Sequence, residues 1–203
     1  CLATASDADN STLTTAYSWL NLTDGSSLGS SNALSLTSAV AAGTDEIQCT
    51  ATVTDSAGDS VSSSVSLVLT NRAPNAPTVL VGPSPAYVNS TIVCTASALS
   101  DPDNDSLTES YAWTLNGTAL ASTSSSFSGG LTAGDVVACT VTLNDGLVDG
   151  NSASASLTVD NIPPTVDSVS LSPATVYTND TVTATAVATD LDGDTLTLSY
   201  EWF

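Results

Sequence analysis

Apolar and polar residues alternate along most of this 203-residue chain, which is the pattern of β-strands with one buried face. The clearest cases are residues 47–53 and 137–143, where an apolar residue occupies every second position. Turn signals separate such runs, for example Asp24-Gly25-Ser26-Ser27 and Asn116-Gly117. No segment shows the periodicity of an amphipathic helix, so the pattern predicts an all-β fold.

One strand pattern occurs three times at intervals of roughly 90 residues, and each copy follows an acidic turn. The copies are Tyr17-Ser18-Trp19, Tyr111-Ala112-Trp113 and Tyr200-Glu201-Trp202. The turns are Asp7-Ala8-Asp9-Asn10, Asp101-Pro102-Asp103-Asn104-Asp105 and Asp190-Leu191-Asp192-Gly193-Asp194. A period of this length indicates whole domains in series.

Cysteines accompany the first two copies. Cys94 precedes Trp113 and Cys139 follows it, while Cys1 and Cys49 flank Trp19 in the same way. Cysteine, tryptophan and cysteine in this order resemble strands B, C and F of an immunoglobulin-like sandwich. The resemblance implies the disulfides Cys1–Cys49 and Cys94–Cys139, with a tryptophan packed against each. In the third copy Thr183 takes the place of the first cysteine, so no bridge is expected there.

Further motifs extend the resemblance over the whole chain. They are the acidic turns, Gly134-Asp135 before Cys139, Asn144-Asp145-Gly146, and the Asn-x-x-Pro junctions at residues 71–74 and 161–164. Together they resemble tandem Ig-like, PKD-like or cadherin-like repeats of large bacterial and archaeal surface or secreted proteins. The resemblance implies tandem immunoglobulin-like β-sandwich domains, one complete and two partial, in a rod-like array.

Two short proline-containing junctions set the predicted domain limits. Repeat 1 covers residues 1–71 and lacks strand A, repeat 2 covers 72–161 and is complete, and repeat 3 covers 162–203 and stops after strand C. These limits indicate a segment of a longer chain. Neither junction contains a Gly/Ser run, so we expect semi-rigid linkers.

The charge balance narrows the classes of partner. One basic residue, Arg72, stands against 21 acidic ones, giving a net charge of −20. Nucleic acid and anionic membrane surfaces are excluded as partners because both require clustered Lys or Arg. No run of 18 apolar residues occurs, so membrane insertion is not expected in this segment. Two cysteine pairs indicate an oxidising compartment, and hence an extracellular or cell-surface location.

The acidic turns are the candidate metal sites. Their carboxylates stand at alternating positions and supply the hard oxygen ligands of calcium. The candidate ligands are Asp101, Asp103 and Asp105 in one turn and Asp190, Asp192 and Asp194 in the other, with Asp145 or Asp149 as a further ligand. An EF-hand is rejected because Thr195 stands where that loop needs glycine. The alternative is a solvated turn in which Asp and Gly serve backbone geometry alone, so no cofactor is required.

Glycans are a second candidate modification. Six sequons lie at predicted turns or strand ends, at Asn10, Asn21, Asn89, Asn104, Asn116 and Asn179. In a chain this rich in Ser and Thr, several sequons are expected by chance.

An enzyme is not expected, because a chain without histidine or lysine has no Ser-His-Asp triad and no Schiff-base amine. The favoured function is an extracellular structural repeat segment of a long surface stalk, filament or adhesin. Its partners would be neighbouring repeats of the same chain or identical chains in a fibre. The alternative is a calcium-dependent adhesive or carbohydrate-binding module of a secreted protein.

Overall fold

The computed structural model describes residues 1–9 and 12–203. In this part of the chain it contains thirteen β-strands and no helix, which confirms the predicted all-β class. An apolar helix of membrane-spanning length is accordingly not found among the described residues. The strands are β1 (Thr14–Asn21), β2 (Ser27–Gly29), β3 (Glu46–Thr54), β4 (Ser60–Val68), β5 (Thr78–Gly82), β6 (Thr91–Ser97), β7 (Thr108–Leu115), β8 (Thr118–Ala119), β9 (Ser126–Ser128), β10 (Val136–Asn144), β11 (Ala153–Thr158), β12 (Thr165–Ser172) and β13 (Thr183–Thr189).

Backbone contacts divide the chain into two compact units. Unit 1 consists of Cys1–Ala76, Leu99–Thr108 and Leu143–Asn151. Unit 2 consists of Pro77–Ala98, Glu109–Thr142 and Ser152–Phe203. Unit 1 thus combines the first predicted repeat with the junction after it and with two loops of the second. The three-repeat division at residues 71 and 161 stays a prediction.

Unit 1 is built on one antiparallel sheet in the order β2-β1-β3-β4. On β3 every second side chain is buried, namely Ile47, Cys49, Ala51 and Val53. On the opposite face, threonines of β3 pair with serines of β4, with 2.8 Å between the hydroxyl oxygens of Thr50 and Ser64. Alternation therefore gives this sheet one apolar and one hydroxyl-lined face.

A disulfide joins Cys1 to Cys49, as the sequence predicts. Residues 1–6, expected as part of strand B, form no strand. The inner face of the sheet is consequently covered over β3 but open over β4. Val61, Val65 and Leu67 of β4 lie opposite Val53, Cys49 and Ile47, and they remain between 52% and 69% exposed.

Unit 2 contains the immunoglobulin-like sandwich that the sequence predicts. The sheet β5-β6-β9 faces the sheet β11-β10-β7-β8, and the Cys94–Cys139 disulfide joins β6 to β10. Trp113 on β7 is 1% exposed, and its indole nitrogen donates to the carbonyl of Ser124 at 2.7 Å. The core around it consists of Val79, Ala86, Ile92, Leu131, Val137, Val141 and Val159, together with the two cysteines.

Unit 2 also holds the β12-β13 hairpin of the third repeat. Leu171 pairs with Ala184 as Val81 pairs with Cys94, so Ala184 rather than Thr183 takes the place of the first cysteine. The one-residue shift arises because the segment between this strand position and the acidic turn is one residue shorter in the third repeat. Counting back from the acidic turn therefore selects Thr183 instead of Ala184. Residues 195–203 form no strand, although their alternation predicts one, and Trp202 is 61% exposed.

Candidate functional site: two acidic loops

The first acidic loop lies between β6 and β7, within unit 1. Its shape is set by Asp101, whose Oδ1 accepts hydrogen bonds from the backbone N–H groups of Asp103 at 2.7 Å and Asp105 at 3.3 Å. Asn104 has a positive φ of 64°, a conformation that asparagine tolerates better than most residues. This turn gathers one carboxylate oxygen from each of Asp101, Asp103 and Asp105 within 4.8 Å of one another.

The junction after β4 supplies two further residues to this loop. Arg72 donates from its backbone N–H to Asp103 Oδ2 at 2.7 Å, and from Nε and Nη2 to Asp103 Oδ1 at 2.8 and 2.6 Å. Its Nη2 also donates to the carbonyl of Pro102 at 2.6 Å. Asn71 donates through Nδ2 to Asp145 Oδ2 at 2.8 Å.

Asp145 lies near the cluster and adds a fourth negative charge to its surroundings. It is 8% exposed, and its Oδ1 accepts from the N–H groups of Leu147 and Val148 at 2.7 Å. Asp149, the other candidate helper, instead accepts a hydrogen bond from Asn144 Nδ2 at 2.7 Å. Of the two candidate helpers, Asp145 is therefore the one tied to the junction.

The carboxylates of the first loop differ in their electrostatic environment. Hydrogen bonds from the Arg72 side chain, then from its backbone, lower the pKa of Asp103. Desolvation raises the pKa of Asp105, followed by the negative charges of Asp101, Asp103 and Asp145. A hydrogen bond from Asn71 is the largest cause that lowers the pKa of Asp145. Negative charge is thus concentrated around Asp105, while the one basic side chain of the chain lies at Asp103.

Two carboxylate oxygens of this cluster, Asp101 Oδ2 and Asp105 Oδ2, are buried without a hydrogen-bond donor, and so is Asn71 Oδ1 of the junction. Buried polar atoms normally have a partner, because leaving one unpaired costs about 1–3 kcal/mol. Carboxylate and amide oxygens are the ligand types of calcium. The residues present therefore fit a calcium ion.

The second acidic loop repeats this geometry within unit 2. Asp190 Oδ1 accepts from the N–H groups of Asp192 at 2.9 Å and Asp194 at 3.3 Å, and the three carboxylates again come within 4.8 Å. Ile162 donates its N–H to Asp192 Oδ2 at 2.5 Å, as Arg72 does to Asp103. Asp192 Oδ1 is buried without a hydrogen-bond partner.

The corresponding turn of the first repeat is described only in part. Asp9 donates its N–H to Asp7 Oδ1 at 2.7 Å, which is the same local turn. Asn10 and Ser11 lie outside the described residues, so the sequon predicted at Asn10 does as well.

The other five sequon asparagines occupy different environments. Asn21 is completely buried, donates to Asp45 Oδ2 and accepts from the N–H of Thr23, which argues against glycan attachment in the folded chain. Asn116 also uses both ends of its amide, donating to Asp135 and accepting from the N–H of Val136. The exposed sequon asparagines are Asn89, Asn104, Asn116 and Asn179, and of these Asn116 has its amide engaged in the hydrogen bonds just described.

The tryptophans bear on the sugar-binding alternative. Trp113 is inaccessible, and Trp19 is half-buried with its indole nitrogen donating to the Ser31 carbonyl at 2.8 Å. The exposed large aromatics are Tyr177, Tyr200, Trp202 and Phe203, all in unit 2.

Comparison with known proteins gives limited information. No protein-family model and no curated protein matches this chain. Among solved structures, the chain is similar to the crystal structure of the FN1–FN3 domains of chicken CNTN1. The similarity covers 88% of this chain and 67% of that chain, at 13% sequence identity and a TM-score of 0.35. Similarity at this level carries no information about function.

Proposed function

We propose that this chain is an extracellular structural repeat segment of a long surface stalk, filament or adhesin. The observation that carries the proposal is the fixed junction after β4. Asn71 and Arg72 are tied by their side chains to Asp145 and Asp103, so the linker is anchored at both residues. A module with a disulfide-linked core and an anchored linker is suited to bearing mechanical load.

The two disulfides support the proposed location. Both cysteine pairs are oxidised and no described cysteine is free, a state maintained outside the reducing cytosol. Neighbouring repeats of the same chain, or identical chains in a fibre, are the proposed partners.

Single-molecule stretching of the full chain tests the mechanical function. We expect resolved unfolding events whose length increments grow when the disulfides are reduced. Reduction of Cys94–Cys139 frees the segment between the two cysteines, whose sequence separation is 45, and extends the unfolded chain by about 15 nm. Unfolding without a resolved force peak, before and after reduction, would contradict a load-bearing role. Electron microscopy of the native material then asks whether the repeat forms fibres.

Calcium binding at the acidic loops is the second proposed function. The observation that favours it is the set of buried carboxylate oxygens without donors, at Asp101, Asp105 and Asp192. Bound calcium would neutralise these carboxylates, with Asp145 as a further acidic residue near the first loop.

Thermal unfolding in calcium and in chelator tests this second function. A ligand present at 100 times its Kd stabilises the folded state by about 2.7 kcal/mol, so the melting temperature should rise by several degrees. The variant Asp101→Asn/Asp105→Asn should lose the part of the rise due to the first loop, and Asp190→Asn/Asp194→Asn the other part. Equal melting temperatures in calcium and chelator would exclude the function.

A further inference from the structure

The only basic residue of the chain is bound at an acidic loop. Arg72 uses Nε, Nη2 and its backbone N–H to engage both carboxylate oxygens of Asp103. The Nη2–Oδ1 distance of 2.6 Å makes this a close ion pair. The first loop is therefore shown to hold a cation, one that belongs to the chain itself.

The second loop has the same backbone arrangement without that cation. Ile162 reproduces the backbone hydrogen bond of Arg72 to the middle aspartate, but its side chain has no donor and no charge. As a result Asp192 keeps one buried oxygen without a partner, whereas both oxygens of Asp103 are occupied. The two loops thus share one backbone arrangement but differ in neighbouring charge. The first has Arg72 and Asp145 nearby, and Ile162 takes the place of Arg72 at the second.

We propose that Arg72 is a tethered counter-ion that competes with calcium at the first loop. It holds the junction to the loop in the absence of metal and weakens calcium binding there. This inference rests on the proposed calcium function and specifies its regulation. A positive charge a few ångströms from a bound cation is expected to lower its affinity about tenfold even near solvent.

Charge-matched variants of the full chain test the proposal by calorimetric titration with calcium. The background Asp190→Asn/Asp194→Asn isolates the first loop. There, Arg72→Gln should tighten calcium binding about tenfold, because it removes the charge and keeps polar contact. Arg72→Lys keeps the positive charge but loses the planar fork of donors. Because the charge is what opposes the metal, the calcium affinity should stay near that of the parent.

The reciprocal variant adds the charge to the second loop. In the background Asp101→Asn/Asp105→Asn, Ile162→Arg should weaken calcium binding about tenfold. It should also reduce the gap between melting temperatures in calcium and in chelator. Circular dichroism confirms that each variant retains its strands.

The outcomes separate this inference from the function on which it rests. Calcium binding that Arg72→Gln and Ile162→Arg leave unchanged would overturn the counter-ion role while the calcium function stands. Weaker binding in Arg72→Gln would also overturn it, since Arg72 would then assist the metal. No calcium binding in the unmodified chain would overturn both.

Discussion

The indole of Trp113 combines packing with a polar contact. Its ring lies against Phe127 with 6.0 Å between centroids, and its N–H reaches the Ser124 carbonyl. Removal of this side chain creates a cavity beside the disulfide and leaves a backbone carbonyl without its donor. Both effects destabilise the folded state.

Trp113→Ala should lower the free energy of unfolding by about 3–5 kcal/mol, the usual cost of deleting a buried aromatic side chain. Trp202→Ala, at the equivalent position of the third repeat, should change it by less than about 0.5 kcal/mol because Trp202 is mostly exposed. Urea unfolding followed by circular dichroism measures both. Equal losses would mean that Trp202 is also packed in a core.

Asp135 illustrates a carboxylate held by its turn. Hydrogen bonds from the Asn116 side chain, then from the backbone and hydroxyl of Thr132, lower its pKa from the ordinary value of an aspartate. Because the pKa of Asp135 is lower in the folded than in the unfolded state, its ionised carboxylate stabilises the fold. This stabilisation is present above the unfolded-state pKa and is lost as the pH falls through the folded-state pKa.

Asp135→Asn should therefore cost stability at neutral pH and flatten the loss of stability as the pH falls below the ordinary aspartate pKa. Asn116→Ala, which removes the hydrogen bond that lowers the pKa of Asp135 most, should move that pKa back toward its ordinary value. Carboxyl NMR titration gives the pKa and denaturation at each pH gives the stability. An unchanged pKa of Asp135 in Asn116→Ala would show that the Asn116 hydrogen bond is not the cause of the lowered pKa.

At the scale of elements, β4 and β11 are equivalent strands in different surroundings. Each pairs with a cysteine-bearing strand, Leu67 lying opposite Ile47 and Leu157 opposite Val137. In unit 2, β5 contacts β11 and Leu157 packs against the core. No strand covers β4 in this way within the described residues, so Leu67 is 52% exposed.

The matched substitutions Leu67→Ser and Leu157→Ser should differ in cost. Leu157→Ser should lower the free energy of unfolding by about 1–2 kcal/mol, since a partly buried leucine loses its contacts. Leu67→Ser should cost less than about 0.5 kcal/mol. Denaturant titration of the two variants gives the difference, and a larger loss at Leu67 would show that the β4 face is covered in solution.

Alternation alone predicts the strands that lie inside a sheet, as the segments around Cys49 and Cys139 show. Alternation fails where strand formation depends on pairing with a neighbour. Residues 195–203 alternate but have no neighbouring strand, and they form no strand themselves. Alternation also misplaces a face by one residue where a loop shortens, as at Thr183 and Ala184, because side chains alternate with period two.

The candidate site was predicted only in part for a similar reason. The aspartates of a single turn are visible in sequence because they are close along the chain. Asn71 and Arg72 come from a distant segment, and the sequence presents them only as part of a proline-containing junction. Their role depends on tertiary contacts with Asp145 and Asp103.

At the scale of the whole molecule, a net charge of −20 opposes compaction, since like charges repel in the folded state. Covalent cross-links offset this by restricting the unfolded chain. The Cys94–Cys139 bridge closes a loop across 45 residues, worth about 4 kcal/mol in the chain-entropy model.

Cys94→Ala/Cys139→Ala should accordingly lower the free energy of unfolding by about 4 kcal/mol. The matched variant Cys1→Ala/Cys49→Ala isolates the bridge of unit 1, whose sequence separation is 48. Denaturant unfolding under non-reducing conditions measures each. A loss below about 1 kcal/mol for the first pair would show that the core of unit 2 is stable without its bridge.

The placement of Arg72 also determines how the molecule meets a digestive enzyme. Trypsin cuts after arginine or lysine, so the Arg72–Ala73 bond is the single bond it accepts in these 203 residues. That side chain is 64% exposed but is hydrogen-bonded to Asp103 and the Pro102 carbonyl, and these bonds must break before it can enter the specificity pocket of the protease. Cleavage into fragments 1–72 and 73–203 would thus report that the contacts of Arg72 with Asp103 and Pro102 have broken.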